Sequence, residues 1–233
     1  MKVFVRLSIL MSFFLSVFFN ASGQEDSVSN PYIKYVGIHA GTQGFGASAT
    51  LAVSSKLSLE AGMSFLPVNR RVFRVYNSYN TESDASARFS NVHLLLNWTP
   101  FVTASNLFRH FLANAGIGYF FKADGHIDTR LADDYHYGEI IIEPHEVGAL
   151  TTDASWKGAV APYLGAGLQH MEIVPRLGIG VTVGSYYLRA PDIAITGTNL
   201  LEGNESNTPV VQKNLKSYRF LPVLQLNFSY QIK

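Results

Sequence analysis

The sequence predicts an all-β fold, an eight-stranded antiparallel transmembrane β-barrel with short periplasmic turns and longer extracellular loops. Three observations carry that reading. The first is period-two alternation between Lys157 and Tyr187, which marks strands. Val160, Pro162, Leu164, Ala166 and Leu168 share one face, against Ala161, Tyr163, Gly165, Gly167 and Gln169. Leu177, Ile179, Val181 and Val183 then repeat the scheme against Gly178, Gly180, Thr182 and Gly184, with Met171 to Pro175 as the hairpin turn. The second is the sorting of the faces: large aliphatics on one side, glycine and polar groups on the other. A small membrane barrel turns the aliphatic face to lipid and packs the small one inside, whereas a soluble barrel of lipocalin type requires the inverse. The third is a leader with no spanning helix behind it.

That leader is Met1 to Gly23. Lys2 and Arg6 precede the apolar run Leu7 to Phe19, and Ala21-Ser22-Gly23 supplies the small residues of a cleavage site. The run is too short for a comfortable transmembrane helix. Its removal takes two of the 18 basic residues and none of the 17 acidic ones, so the net charge falls from +1 to about −1. Such a balance gives no reason to expect nucleic acid as a partner. Charged residues make up 15% of the 233 positions, aromatics 13%, and cysteine is absent. Disulfides, thiolate metal sites, cysteine nucleophiles and a lipoprotein anchor are thereby excluded. A secreted chain without spanning helices crosses lipid only as a closed barrel, because lipid cannot satisfy an open sheet edge.

Residues 24–31 form a polar periplasmic lead-in, and 32–233 the barrel. Strand one is Tyr32 to Gly41, with Val36, Ile38 and Ala40 outward, and Thr42-Gln43 is a tight turn. Strand two runs from Gly44 to Val53, with Phe45, Ala47, Ala49, Leu51 and Val53 outward. Strand three turns Leu57, Leu59, Ala61, Met63 and Phe65 to lipid and Glu60 inside, then continues beyond Pro67 to a loop at Asn77 to Asp84. Strand four is Ala87 to Trp98, with Val92, Leu94, Leu96 and Trp98 out. Strand five, Leu107 to Lys122, puts Ala113, Ala115, Ile117, Tyr119 and Phe121 out. Ala123 to Ser155 is the longest loop, with room for extra strand pairing. The opening hairpin supplies strands six and seven. Leu188 to Leu215 is another long loop, into which Ile193 and Ile195 suggest that the hairpin continues. Tyr218 to Ile232 closes the count at eight. Aromatics gather at two levels: Tyr32, Trp98, Phe101, Phe108 and Tyr230 at one, Phe73, Tyr76, Tyr119, Phe121, Tyr187 and Phe220 at the other.

Three stretches carry a family resemblance: Gly41-Thr42-Gln43-Gly44-Phe45-Gly46, Asn97-Trp98-Thr99-Pro100-Phe101, and Ala161-Pro162-Tyr163-Leu164-Gly165-Ala166-Gly167. Over roughly Tyr32 to Lys233 the chain resembles the OmpA-like and OmpW-like outer-membrane barrels of Gram-negative bacteria. The resemblance implies a fold, an outer-membrane location and insertion by the barrel-assembly machinery; it implies no particular reaction. One departure is the C-terminus. Many such chains end in an aromatic residue, and this one ends Ile232-Lys233.

The candidate sites are few. Gly116/Gly118, Gly165/Gly167 and Gly178/Gly180 alternate within strands with no following helix, so relief of crowding explains them better than phosphate binding. His39, Glu60, His93, Asn97 and Arg176 are assigned to the barrel interior, with His110 inward near its periplasmic end. Arg176 is the candidate cationic partner for Glu60, since a buried carboxylate needs one. Asp124, Asp128, Asp133, Asp134, Glu139 and Glu143 crowd the longest loop and are candidates for cation or partner contact, although no EF-hand spacing is present. Arg70, Arg71, Arg74 and Arg88 gather at the external end of strands three and four. They are expected either to dock lipopolysaccharide phosphates or to pair with the acidic loop. No metal, cofactor or catalytic residue is assigned. Ser155, Ser185, His126 and Glu139 lack any local His–Ser motif of the lipid A deacylase barrels. The expected protein is a non-enzymatic monomer of the outer membrane, in contact with lipid and lipopolysaccharide, acting through its external loops. A narrow channel or carrier for small or apolar solutes is the second reading, and a lipid-modifying enzyme the third.

Overall fold

A computed structural model describes residues 32–76, 79–156 and 159–232. The leader and the lead-in therefore lie outside the described residues. Four strands open the chain: β1 (Tyr32–Gly41), β2 (Gly44–Ala52), β3 (Leu57–Tyr76) and β4 (Tyr79–Trp98). A 3₁₀ turn, Leu107–His110, precedes β5 (Phe111–Leu131). Then come β6 (Tyr135–Tyr137), β7 (Ile140–Ile142), a short helix α1 (Pro144–Val147) and β8 (Ala149–Ser155). The long hairpin β9 (Ala159–Val174) and β10 (Leu177–Tyr187) follows, then β11 (Asp192–Gly197), helix α2 (Thr208–Leu215) and β12 (Phe220–Gln231).

Eight strands close a cylinder in the order β1-β2-β3-β4-β5-β9-β10-β12, every neighbouring pair antiparallel. Two pairings complete the ring: β1 to β12, from Tyr35 opposite Gln231 to Gly41 opposite Gln225, and β5 to β9, from Phe111 opposite Leu168 to Phe120 opposite Ala159. Above Phe120, β5 leaves β9 and pairs with β8 instead, and β8 pairs with β11. The upper halves of β3, β4 and β5 thus continue, with β8 and β11, as a five-stranded blade rising from one side of the rim.

The faces are sorted as the alternation predicts. Ile38 is 65% exposed and Leu164 70%, with Phe45, Met63, Val92, Leu94, Ile117, Val183 and Leu224 also outward. Ala161, Tyr163, Thr182, His93 and Asn97 are buried inside. The inner glycines make room for those side chains. A Cβ on Gly62 would sit 2.5 Å from His93 Nε2, and one on Gly184 would sit 2.4 Å from the Tyr163 hydroxyl.

Several boundaries differ from the sequence reading. Of the loop expected over Asn77 to Asp84, Tyr79 to Asp84 is strand: β3 and β4 stay paired from Leu57 opposite Trp98 to Tyr76 opposite Tyr79. Asn77 and Ser78 themselves lie outside the described residues. Polar residues there form strand because β5 covers the far edge of β4 and because Arg71 faces Asp84 directly across the pair. Strand five begins at Phe111 rather than Leu107, since Asn106 accepts the Phe108 N–H and starts a helical turn. It runs on to Leu131, so the first nine residues of the supposed longest loop are strand. Ile193 and Ile195 do not prolong the hairpin; they belong to β11, which crosses to β8. The β9–β10 turn is only Pro175-Arg176, where Arg176 has φ 70 and the Glu172 carboxylate accepts its backbone N–H.

Candidate functional site

The barrel interior divides into a polar part and an apolar plug. In the polar part, His39 Nε2 and Ser64 Oγ are 2.8 Å apart, and His93 Nδ1 lies 3.1 Å from Asn91 Oδ1. Asn97 donates to Glu60 at 2.9 Å. Across the cavity, Gln43 donates to Gln225, Gln225 to Asn227, and Asn227 to Thr182, a relay of amides ending on a hydroxyl. His170 bonds Ser229 through Nδ1 and stacks on Tyr35 with ring centroids 4.4 Å apart. Between these groups lies a cavity of about 60 Å³, room for a few waters.

The plug closes the end from which the blade rises. Phe120 and Tyr186, each 1% exposed, meet edge to face at 5.1 Å, and Tyr163 packs on Tyr186 at 4.7 Å. Leu95, Leu188 and Val223 are buried with them, and Phe89 and Trp156 lie over the top. Edge-to-face contact of this kind adds roughly 0.5–1.5 kcal/mol per pair beyond burial.

The structure places His39, Glu60, His93 and Asn97 together inside the barrel. Arg176 is not among them. It is exposed in the short β9–β10 turn, because the two-residue hairpin puts that position beyond the last ladder pair. His110 is part-buried in the 3₁₀ turn, its Nδ1 3.1 Å from the Gln169 carbonyl oxygen. Sequence reasoning missed the apolar plug, although the inward parity of Phe120, Tyr163 and Tyr186 was the available signal.

The blade carries the arginines and the acids, and it pairs many of them. Arg71 donates through Nε to Asp84 at 2.8 Å and lies 2.9 Å from Glu82. Arg130 reaches Glu82 at 3.3 Å, and Arg88 donates to Asp124 at 2.9 Å. The Arg71 hydrogen bond holds the Asp84 carboxyl below the usual carboxylate range. Asp128 accepts from Thr151 and Asp133 from Asn80. Glu143 closes a capping box with Glu146 at the start of α1. Among the described residues Arg70 and Arg74 form no ion pair, nor do Asp134 and Glu139, and no three His, Asp or Glu side chains gather as a metal site. Glu205 pins the loop behind β11 by accepting the N–H groups of Gly197 and Gly203.

The outer surface defines the layer in which the cylinder sits. Phe45, Phe65 and Phe121 meet in sequence around the end from which the blade rises, tilted and then edge to face, and Phe101 packs against Phe108 and Phe111 at the other. From Trp98 to Ser90 along β4 is about 26 Å of strand, or roughly 20 Å along the normal at a tilt near 40°, close to the apolar band of membrane barrels. Phe73 does not belong to the upper girdle; it is exposed high on the blade, and the Tyr76 side chain lies outside the described residues.

No protein-family model matches the chain, and no curated protein matches it. Among solved structures, the crystal structure of CarO from Acinetobacter baumannii aligns with 86% of this chain and 98% of its own, with a TM-score of 0.65 and 18% identity. CarO2 of the same organism aligns with 87% and 100%, with a TM-score of 0.65 and 15% identity. At these identities the likeness is one of fold. The chain is a closed eight-stranded antiparallel β-barrel, with an exterior consistent with an outer-membrane protein.

Proposed function

We propose that this protein is a sealed barrel of the Gram-negative outer membrane, without enzymatic activity, that works through the blade it holds above the surface. The carrying observation is the conjunction of the Phe120–Tyr186 plug with strands β3 to β5 running past the girdle into a paired sheet. A cylinder built to pass solutes would spend its inner volume on a bore; this one fills its outer end with aromatic rings. The blade presents Phe73 and Val75 in water, and the separate β6–β7 hairpin presents Ile140 and Ile141, exposed apolar groups of the sort that contact partners. Arg70 and Arg74, outside the ion pairs that occupy Arg71 and Arg88, are the forks available to lipopolysaccharide phosphates. Affiliation with the OmpA-like or OmpW-like barrels, a monomeric state and delivery by the barrel-assembly machinery belong to the same reading.

Two measurements test it. The chain has no cysteine, so Val75→Cys and Leu200→Cys are expected to react with an impermeant maleimide on intact cells. In planar bilayers the purified protein is expected to give no sustained conductance. A stable open level would instead favour the channel reading.

A further inference from the structure

Several buried polar atoms of the interior have no partner among the described residues, the oxygens of Gln43, Asn97 and Asn114 together with nitrogens of His39, Asn91 and His170, and the carboxylate of Glu60 has no Lys or Arg beside it. Glu60 accepts from Asn97 Nδ2, which leaves Asn97 Oδ1 without a donor. Asn114 stands directly across the ladder from Asn97 and also faces inward, with its own Oδ1 unpartnered. Both side chains are more than nine-tenths buried: Asn97 is 1% exposed and Asn114 5%. Gln43 Oε1, another orphan acceptor, opens onto the same cavity as Glu60 and Asn114. The basic group nearest in kind is His93, whose Nε2 is 4.0 Å from the Glu60 carboxylate, and the cavity wall contains neither lysine nor arginine.

Buried acceptors left without donors cost about 1–3 kcal/mol each, and a buried charge without a partner costs more. Such a set is completed from outside the chain. One carboxylate beside a neutral amide oxygen matches a single positive charge. A divalent ion would require more carboxylates, and among the described residues no three acidic or histidine side chains gather. Hard oxygen donors suit an alkali cation better than a soft metal. We propose that the barrel interior binds one partly hydrated monovalent cation, Na⁺ or K⁺, between Glu60 and the amide oxygen of Asn114, with Asn97 holding the carboxylate from behind. The cavity of about 60 Å³ accommodates the ion with a few waters. Tyr35, Gln169 and His170 line its periplasmic side, so the ion enters from the end opposite the plug. This site is independent of the blade and of any partner bound there.

The test uses full-length protein folded in detergent, at constant ionic strength, with Na⁺ or K⁺ exchanged for N-methyl-glucammonium. A ligand of the native state stabilises it by a constant increment for each roughly tenfold rise above its dissociation constant. The wild type is expected to show that dependence in its unfolding midpoint. It should also broaden the ²³Na resonance, and K⁺ should displace the excess width. Glu60→Gln and Asn114→Leu are each expected to remove most of the excess broadening. Should Glu60→Gln fail to fold, Asn114→Leu and the wild-type competition carry the test alone. A wild type indifferent to the exchange would overturn the proposal and leave water as the partner of these oxygens. Broadening that survives in both variants would overturn it equally, by placing the cation on the acidic blade.

Discussion

Replacing Leu94 by arginine separates a lipid-solvated barrel from any water-soluble one with the same coordinates. Leu94 lies outward between Ala61 and Ile117, midway along β4 between Trp98 and Ser90, and is 45% exposed. Val210, on α2 in the external loop, is 59% exposed. In water these positions are equivalent, and an arginine at either changes stability by less than about 0.5 kcal/mol. In a bilayer they are not, because a guanidinium near the midplane costs about 2–4 kcal/mol while the loop site stays wet. With tenfold per 1.4 kcal/mol, Leu94→Arg lowers the folding equilibrium constant by roughly 30- to 700-fold. Urea titration of protein folded into phosphatidylcholine vesicles, followed by tryptophan fluorescence and heat-modifiable gel mobility, reads the difference. Equal midpoints for Leu94→Arg and Val210→Arg would refute the inverted solvation on which the membrane placement depends.

Other perturbations probe the interior and the blade. Gly62→Ala puts a Cβ 2.5 Å from His93 Nε2 and 2.9 Å from the Ala47 carbonyl oxygen, and is expected to lower stability by about 1–3 kcal/mol. Gly125→Ala finds nothing nearer than 3.9 Å and should be neutral or slightly stabilising in the same denaturation series. Phe120→Ala removes a ring from the plug at a cost of about 3–5 kcal/mol, and any conductance gained in planar bilayers would mark the plug as the barrier. The depressed Asp84 carboxyl makes the Arg71 contact fully present above the ordinary 3.8 and lost as pH falls through the lower folded value. Amide protection of the hairpin from Arg71 to Asp84, corrected for intrinsic exchange, should fall in that window and lose this dependence in Asp84→Asn. Arg70→Ala with Arg74→Ala should reduce lipopolysaccharide co-purification, whereas unchanged lipid content would remove those residues from any phosphate contact.

Within the closed cylinder the sequence was legible because one rule, apolar side chains outward and small or polar ones inward, runs along its strands. Leu57, Leu59, Ala61, Met63 and Phe65 alternate with Ser58, Glu60, Gly62 and Ser64, and both sets stand on the faces that the alternation assigns. Above the girdle that rule lapses. The blade meets water on its outer face, so Glu82, Asp84 and Ser86 form strand with polar side chains and read as a loop. The β8–β11 pairing joins segments nearly forty residues apart by backbone bonds, and local pattern carries no trace of it. Arg176 had inward parity in a strand, but the chain reverses at that residue, and parity has no meaning in a turn. The interior polar set was visible one residue at a time. Which of its polar atoms stay unpartnered was not, since that depends on which amide faces which.

The pairing of β1 with β12 has a consequence for biogenesis. It is the one junction in the ring made by opposite ends of the chain, with Thr42 bonded to the carbonyls of Pro222 and Leu224 across some 180 positions. Contacts that distant are slow to form, because the entropy of bringing the ends together is lost before they repay it. A nascent chain lacking residues beyond Phe220 would expose two raw margins and could neither enter acyl chains nor remain safely in water. Closure of the ring therefore waits until the last strand has been made.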